Sequence, residues 1–282
     1  MARNNEERIG AKDSHDNPAL AMGANPLSFT TPTDFVELPS RGEFYAESHP
    51  LHKKESVEIK FMTAKEEEIL TSPALLKNGT AIDKLIDSVM VDKRIKSENL
   101  LIGDKNAILI QSRITGYGTQ YVTKVQCPSC LETSEHEFDL DECKNVKESV
   151  LSDDLKVEKT ENGNFKIALP LTGVEVEFRL LTGKDENRIM KIAEKARKTK
   201  TPASQLVNQL ATMIVSLNGY KTNDVITQFA RQMPAQDSRF LRKAYDSINP
   251  TVDLTHSFEC SNCQYEGMME VPFTTDFFWS KL

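Results

Sequence analysis

The sequence predicts an α+β protein whose body is a tandem duplication that forms a pseudo-twofold pair. The unit expected to occur twice is a strand, three helices, and then a strand, a Cys-x-x-Cys turn and a strand. Three observations predict it: a repeated junction between strand and helix, a repeated order of helices, and two cysteine pairs with matching flanks. Such repeats predict the fold class, because each copy of a repeated unit is expected to form the same secondary-structure elements in the same order.

Length and composition limit the class of protein. The 282 residues carry a net charge of −7, and 39% of them are hydrophobic. This length suits one or two domains with a sizeable core. No apolar run approaches the roughly 20 residues of a membrane helix, and the polar start "MARNNEERIG" lacks the apolar core of a secretory signal. We therefore expect a soluble cytoplasmic product without membrane insertion, whose five cysteines suit metal binding better than disulfides.

The segment 1–54 is predicted to be an arm that precedes the repeated body. Its first part, 1–27, has little apolar content and no periodicity, which favours a segment that is disordered or ordered by a partner. Its second part, 28–54, is interrupted by prolines and a glycine and is rich in aromatic side chains, which favours an extended docking segment. The candidate docking residues of this segment are Phe29, Phe35, Phe44 and Tyr45.

The junction between strand and helix occurs at "VEIKFMTAKEE" (57–67) and again at "VEFRLLTGKDE" (176–186). Alternating apolar residues predict a half-buried strand in both. Thr63 and Thr182, each followed three positions later by an acidic residue, then predict a capping box that begins a helix.

Two more helices are expected in each unit. The apolar spacing of 81–91 and of 205–217 predicts one amphipathic helix in each. Asp104 in the first unit and Asp237 in the second are predicted to begin the last helix of their unit. The corresponding segments of the two units agree in their order, their spacing and their residue types, so we interpret the units as a duplication.

The remaining segments connect or follow the two units. Between the units we expect a short helix and then a hairpin that turns at residues 162–164 ("NGN"). An aromatic tail with Phe277, Phe278 and Trp279 is expected to dock on the body or on a partner. The predicted segments are the arm (1–27), the docking segment (28–54), the first repeat (55–142), the linker with hairpin (143–171), the second repeat (172–273) and the tail (274–282).

The two Cys-x-x-Cys pairs occupy equivalent places in the units. Cys127 and Cys130 precede Cys260 and Cys263 by the same sequence offset that separates Asp104 from Asp237, and each pair stands between predicted strands. Such a turn directs two thiolates at one ion, and two turns complete a tetrahedral four-thiolate site. The sequence predicts one structural zinc per chain held by these four cysteines, since a closed site leaves no position for a substrate.

Other interpretations of the cysteines remain open. Each unit would hold its own metal if His136 or Cys143 joined the first pair and His256 joined the second, although these extra ligands do not correspond. The four cysteines would otherwise be buried without a metal. A redox role is disfavoured, because neither pair begins a helix in a βαβ unit. Iron is an alternative to zinc, although zinc is the default for a closed four-thiolate site.

The sequence contains no recognisable catalytic constellation. Its five histidines are scattered, and no glycine-rich phosphate loop is present. We therefore predict that the protein is not an enzyme and has no catalytic residue and no small-molecule substrate. The negative charge and the acidic stretch at 131–142 disfavour nucleic acid as the main ligand. A zinc-ribbon nucleic-acid-binding or transcription-associated module is the alternative function.

Four motifs stand within residues 38–140: "LPSRGEFY" (38–45), "FMTAKEEEIL" (61–70), "IGDKNAILIQSRITGYGTQY" (102–121) and "QCPSC" (126–130). In these motifs the chain resembles the baseplate hub and hub-assembly family of T-even-like contractile-tailed bacteriophages. The chain departs from the pattern in its second unit, where the "GYG" element becomes "NPT" (249–251).

The resemblance implies a structural subunit of the virion tail baseplate, in its hub or inner part, that is assembled in the host cytoplasm. Its implied partners are other baseplate and tail proteins, arranged in a symmetric ring in which extended arms bind neighbours. A hub-assembly chaperone that is absent from the mature virion is the alternative within the family.

Overall fold

The computed structural model describes residues 31–142, 146–147, 155–199, 204–272 and 277–278. Nearly all of these belong to one compact unit, Thr33–Leu282. The predicted arm at 1–27, together with Phe29, Cys143 and Trp279, lies outside the described residues. Among the residues that are described, no helix is long and apolar enough to cross a membrane.

The first half of the body begins with a hairpin, continues through helices and ends in a second hairpin. β1 (Thr33–Glu37) pairs antiparallel with β2 (Ser56–Lys60). The helices that follow are α1 (Ala64–Thr71), α2 (Pro73–Lys77), α3 (Ala81–Val89), a 3₁₀ turn (Ser97–Asn99) and α4 (Ile102–Tyr117). Gly118 ends α4 with a φ of 84°, a conformation that favours glycine. β3 (Gln120–Gln126) and β4 (Thr133–Asp139) then form the second hairpin.

The second half contains a larger sheet, whose last strand lies between helices in the sequence. The antiparallel strands β6 (Glu158–Lys159), β7 (Phe165–Ala168), β8 (Glu175–Phe178) and β9 (Ile214–Leu217) form it in that order. The helices are α5 (Gly183–Lys198), α6 (Gln205–Met213), α7 (Asn223–Gln232) and α8 (Ala235–Ile248). The short strands β5 (Val146–Lys147) and β10 (Thr251–Val252) pair with each other, and β11 (Thr255–Glu259) pairs with β12 (Glu266–Glu270).

The capping boxes predicted from sequence are confirmed. The Thr63 backbone N–H donates to the Glu66 carboxylate at 3.0 Å, and Thr182 does the same to Asp185 at 2.9 Å. In both boxes the threonine side chain also accepts from the backbone three residues on. Each box satisfies backbone donors that the first turn of a helix leaves free.

The helical predictions need two corrections. Within the described residues each half has four α-helices instead of three, because α2 and α7 were not predicted. The segment 205–217 is not one helix: α6 ends at Met213, and the β-branched Ile214 and Val215 enter β9 beside β8. Of the segment predicted to contain a short helix after residue 143, the structure describes Val146–Lys147, which is a strand, and the residues at 148–154 lie outside the described residues.

The sequence predicted that Asp104 begins its helix. In the structure Asp104 is instead the third residue of α4. Its buried carboxylate accepts hydrogen bonds from the Ser40 N–H (2.9 Å), the Ser40 hydroxyl (2.6 Å) and the Tyr45 hydroxyl (2.7 Å). The Tyr45 oxygen in turn accepts from the Leu101 N–H. Asp104 therefore fastens the chain segment after β1 to the start of α4.

Asp237 makes a similar connection in the second half. It accepts hydrogen bonds from the Leu171 N–H (2.9 Å) and from the N–H (3.1 Å) and hydroxyl (2.7 Å) of Thr172. The segments bound by the two aspartates read "LPSRG" (38–42) and "LPLTG" (169–173). Both segments directly follow a strand, β1 or β7. In each half a buried aspartate thus holds a turn of the same sequence pattern.

Arg113 of α4 is buried in the core and acts as a donor to several backbone carbonyls. Its Nε donates to the Phe277 carbonyl (2.7 Å), and its two terminal nitrogens donate to the carbonyls of Gly118 (2.9 Å) and Gln120 (3.0 Å). Its guanidinium also lies 5.1 Å from the centre of the Tyr117 ring. One side chain thus joins the end of α4, the start of β3 and the segment at 277–278.

Replacing Arg113 by methionine should lower the free energy of unfolding by about 2–3 kcal/mol, because a buried carbonyl left without its donor costs about 1–3 kcal/mol. The Phe277 carbonyl bears most of this cost, since the bonds to Gly118 and Gln120 are only partly buried and water can replace them. Chemical denaturation of the variant and the wild type measures the difference. Arg113→Lys is the matched control: it keeps the charge and a donor and should lose less. Equal losses in the two variants would show that side-chain volume, not hydrogen bonding, matters here.

Candidate metal centre

The first cysteine pair lies in the turn between β3 and β4. The Cys127 N–H donates to the Glu132 carbonyl and the Leu131 N–H donates to the Cys127 carbonyl, both at 2.9 Å. Leu131 has a φ of 60°, which is uncommon for a residue with a side chain. These bonds form a tight turn that places Cys127 and Cys130 on the same side of the hairpin end.

The second pair lies in an equivalent turn between β11 and β12. The Cys260 N–H donates to the Tyr265 carbonyl and the Gln264 N–H donates to the Cys260 carbonyl, again both at 2.9 Å. Gln264 has a φ of 58°. This turn has the same two backbone hydrogen bonds as the first turn, at the same positions relative to its cysteines. Its residue with positive φ also occupies the same position. No local signal predicted that conformation, because neither position is glycine or asparagine.

The two turns bring all four sulfur atoms together. The Sγ atoms of Cys127 and Cys263 are 3.7 Å apart, those of Cys130 and Cys260 are 3.8 Å apart, and all four lie within 4.8 Å of one another. Each of these short distances joins one hairpin to the other. The arrangement is therefore one shared cluster and not a separate site in each half.

The sulfur spacing fits a tetrahedral metal site. A Zn–S bond of about 2.3 Å implies sulfur atoms about 3.8 Å apart at the corners of a tetrahedron. A disulfide would require about 2.05 Å, and the four cysteines are free thiols. Cys127 and Cys260 are buried, Cys130 is half-buried and Cys263 is exposed. The donor set and its spacing thus match a closed four-thiolate site, with one sulfur near solvent.

Nearby donors and the mutual proximity of the sulfurs shift their acidity. The backbone N–H groups of Cys263 and Asn262 lower the pKa of Cys260 to about 7. The pKa of Cys263 is raised to about 11: the Tyr265 N–H lowers it, but partial desolvation of the thiolate and the three other sulfurs outweigh that effect. Four thiolates at this distance repel one another, so a shared cation would stabilise the fully ionised cluster.

The histidines named as extra ligands lie elsewhere on the same hairpins. The ring centres of His136 and His256 are 6.2 Å apart, and Phe138 and Phe258 pack around them at 4.6–5.6 Å. His256 Nε2 lies 2.9 Å from a carboxylate oxygen of Glu142. Burial lowers the pKa of His136, which favours its neutral form in this contact. Among the described residues the cluster with metal-ligand geometry consists of the four cysteines, and the histidines belong to the packing between the hairpins.

Two of the predicted docking aromatics reach the surface of the described body. Phe35 on β1 is 66% exposed. Phe44 is half-buried: its ring lies 5.9 Å from that of Phe165, and Lys159 Nζ lies 4.9 Å above it. Of this pair only Phe35 offers a large apolar surface to another molecule.

Three other predicted docking aromatics are buried in their own chain. Tyr45 is 7% exposed and binds Asp104. Phe277 packs edge-to-face on Tyr121 at 5.1 Å, and Phe278 lies 5.2 Å from Phe277. The surfaces of these three side chains are therefore occupied by intramolecular contacts. For Phe277 and Phe278, this is docking on the body, one of the two alternatives that the sequence left open for the tail.

Comparison with known proteins identifies a family. No curated protein and no solved structure matches the chain. The family model described as T4 bacteriophage base plate protein matches residues 34–279, which include most of β1, both cysteine turns and the segment at 277–278. This match covers most of the 282 residues. The chain therefore belongs to the T4 bacteriophage base plate protein family.

Proposed function

We propose that this protein is a non-enzymatic structural component of a phage tail baseplate, in the hub or inner part of the baseplate, stabilised by one structural zinc. The observation that carries the proposal is the family match over 34–279, within which the four-cysteine cluster lies. Membership implies a place in the virion tail and contact with other tail proteins. A symmetric ring of subunits is the arrangement that we propose for these contacts.

The zinc would be held by Cys127, Cys130, Cys260 and Cys263. It would supply four metal–sulfur bonds that cross-link the β3–β4 hairpin to the β11–β12 hairpin, which are far apart in sequence. Because four protein ligands close the coordination shell, this site would have a structural role and no position for water or substrate. The sulfur distances of 3.7 and 3.8 Å support this role.

We also propose that the body arose by tandem duplication, with repeats at 55–142 and 172–273. Matching contacts support the proposal: the two cysteine turns correspond at the same sequence offset as the two buried aspartates, Asp104 and Asp237. A duplicated unit would place the two cysteine pairs symmetrically about one ion. That placement explains why ligands so distant in sequence meet.

Mass spectrometry of purified virions tests the structural role. We expect peptides of this protein at a ratio, relative to an abundant tail protein of the same particle, that corresponds to a small whole number of copies per tail. The lysate of infected cells serves as the control for expression. Presence in the lysate with absence from the virion would instead support the hub-assembly chaperone.

A further inference from the structure

The strand β1 has one edge that pairs with β2 and one edge that is open. The Leu38 N–H donates to the Glu55 carbonyl at 2.7 Å, which continues the register of the β1–β2 pair. Hydrogen-bonded positions alternate along an antiparallel pair. Val36 therefore bonds to β2, whereas the main-chain groups of Phe35 and Glu37, on either side of it, face the opposite edge. We call this opposite side of β1 the open edge.

The open edge carries main-chain groups that have no partner. Within the part of the chain that the structure describes, nothing bonds to the Phe35 carbonyl or to the Glu37 N–H. The Phe35 N–H is already bonded, because it donates to the Asp34 carboxylate at 2.8 Å. The outer edge of β2 is covered, because the Val91 N–H donates to the Glu58 carbonyl at 3.3 Å. An open edge is a template for another strand, and β1 contains neither a proline nor a bulge that would prevent pairing.

A groove lies beside the open edge, between β1 and β10, which both pack on α4. Its volume is about 320 Å³, at the lower end of the range of about 300–1,000 Å³ that is usual for binding clefts. Ala107 and Ile110 of α4 and Val252 of β10 give it an apolar lining. Because β10 bounds the side away from β1, the groove has room for a single extended chain and not for the edge of a second sheet.

The side chains around the groove define the chemistry of a partner. Among the described residues that line it, the charged groups are the carboxylates of Asp34 and Glu37, and none is a lysine or arginine. The side chains of an added strand alternate between two faces, so one set would enter the groove against Ile110 and Val252. The other set would lie beside Phe35, which is 66% exposed. A lysine or arginine near the end of the strand would meet the two carboxylates, on a chain whose net charge is −7.

We propose that β1 binds an extended segment of another protein, which adds to the open edge as a β-strand. This segment has apolar side chains at alternate positions and a lysine or arginine near its end. Main-chain hydrogen bonds supply the affinity of such a contact, and the groove selects the alternate side chains. The inference rests on the proposed role as a subunit that contacts other tail proteins, and it names the mode of one contact, but its test does not depend on virions.

A synthetic peptide in which threonine and valine alternate between two terminal lysines tests the proposal on the full-length chain. Fluorescence anisotropy of the labelled peptide should show saturable binding. The same peptide with glutamates in place of the lysines should bind at least about fivefold more weakly, because its ends repel the carboxylates beside the groove. Hydrogen exchange followed by NMR locates the contact. Exchange of the Glu37 amide should slow, since it gains an acceptor, whereas exchange of the Val36 amide, which is already bonded to β2, should stay the same.

Variants at one position separate main-chain pairing from charge. Glu37→Pro removes the N–H on the open edge and leaves the bonds to β2, which involve the neighbouring residues. Binding of the lysine peptide should weaken at least about fivefold, the change expected from losing one hydrogen bond. Glu37→Gln is the matched control: it keeps the N–H, removes the charge and should weaken binding only about twofold. Phe35→Thr keeps a residue that suits a strand, removes the ring and should weaken binding roughly threefold.

Four outcomes would overturn the proposal. The first is no binding of the lysine peptide up to about 1 mM. The second is equal weakening in Glu37→Pro and Glu37→Gln, and the third is binding without slower exchange at Glu37. The fourth is self-association of the chain that Glu37→Pro abolishes, which would favour a second copy as the occupant of the open edge. Virion mass spectrometry is unaffected by these outcomes, so failure here is distinct from failure of the structural role.

Discussion

The purified wild-type chain should contain one zinc per chain, and Cys127→Ser should contain none and should lose most of its folding stability. Apparent binding free energies at four-ligand zinc sites are on the order of 10 kcal/mol, which is comparable to the whole stability of a typical domain. Cys127 is buried, and its sulfur lies 3.7 Å from that of Cys263 on the other hairpin. Its loss therefore opens the cross-link between the two hairpins and also leaves three thiols without a charge partner.

Elemental analysis by mass spectrometry measures the metal, and thermal unfolding measures the stability. Cys143→Ser is the matched control, because Cys143 is an extra ligand in the two-site alternative. This variant should keep its zinc and its melting temperature. Two zinc ions per wild-type chain, or none, would contradict the shared site. A chelator should lower the melting temperature of the wild type and leave that of Cys127→Ser unchanged.

Asp104→Ala should lower the free energy of unfolding by about 3–5 kcal/mol, because it leaves several buried hydrogen-bond donors without an acceptor at about 1–3 kcal/mol each. The substitution leaves the N–H and hydroxyl of Ser40 and the hydroxyl of Tyr45 without their acceptor. Asp104 is completely buried, so water does not replace the carboxylate. Equilibrium denaturation in urea measures the change.

Two matched variants show whether the hydrogen bonds are responsible. Asp104→Asn keeps an acceptor oxygen and should be destabilised less than Asp104→Ala. Asp237→Ala removes the counterpart in the second half. Asp237 is as buried as Asp104, but its partners Leu171 and Thr172 are exposed, so water can reach the donors that lose their acceptor. We expect a loss of about 1–2 kcal/mol at that position. A loss for Asp237→Ala that equals that of Asp104→Ala would contradict the role that we assign to the burial of the hydrogen-bond donors.

The pH dependence of the Asp104 contribution follows from its surroundings. Burial raises the pKa of Asp104 above the usual value, against the opposing effect of its bonds to Ser40 and Tyr45. The folded state then binds the proton more tightly than the unfolded state, so the contribution of this carboxyl to stability is greatest at low pH and falls as pH rises through the raised pKa. The stability of the wild type relative to Asp104→Asn should therefore increase as pH falls.

The elements that the sequence predicted well are those whose signals are local. The capping boxes at Thr63 and Thr182 need only residues three positions apart, and both are present. The end of α6 was predicted wrongly, because the periodicity of 205–217 suits a helix, while pairing with β8 makes its last four residues a strand. Tertiary pairing there outweighs the local preference.

The meeting of the four cysteines was predicted from their equivalent places in a repeated pattern. Their sulfur distances agree with that prediction, although the ion itself is a proposal. The docking residues were harder, because an aromatic side chain suits a core and an interface equally. Tyr45 is used inside the chain, and Phe35 is left exposed. Whether an aromatic side chain is buried in the core or left exposed depends on which other segments of the chain pack against it.

The sequence by itself determined the α+β class, the capped helices and the pairing of cysteine turns, since these depend on spacing along the chain. Only the tertiary structure decided the acceptor role of Asp104 and the three carbonyls bound by Arg113. The physical reason is the same for both buried groups. A buried polar group must find a partner wherever the fold supplies one, and the partners of Asp104 and Arg113 lie up to 164 residues away in the chain.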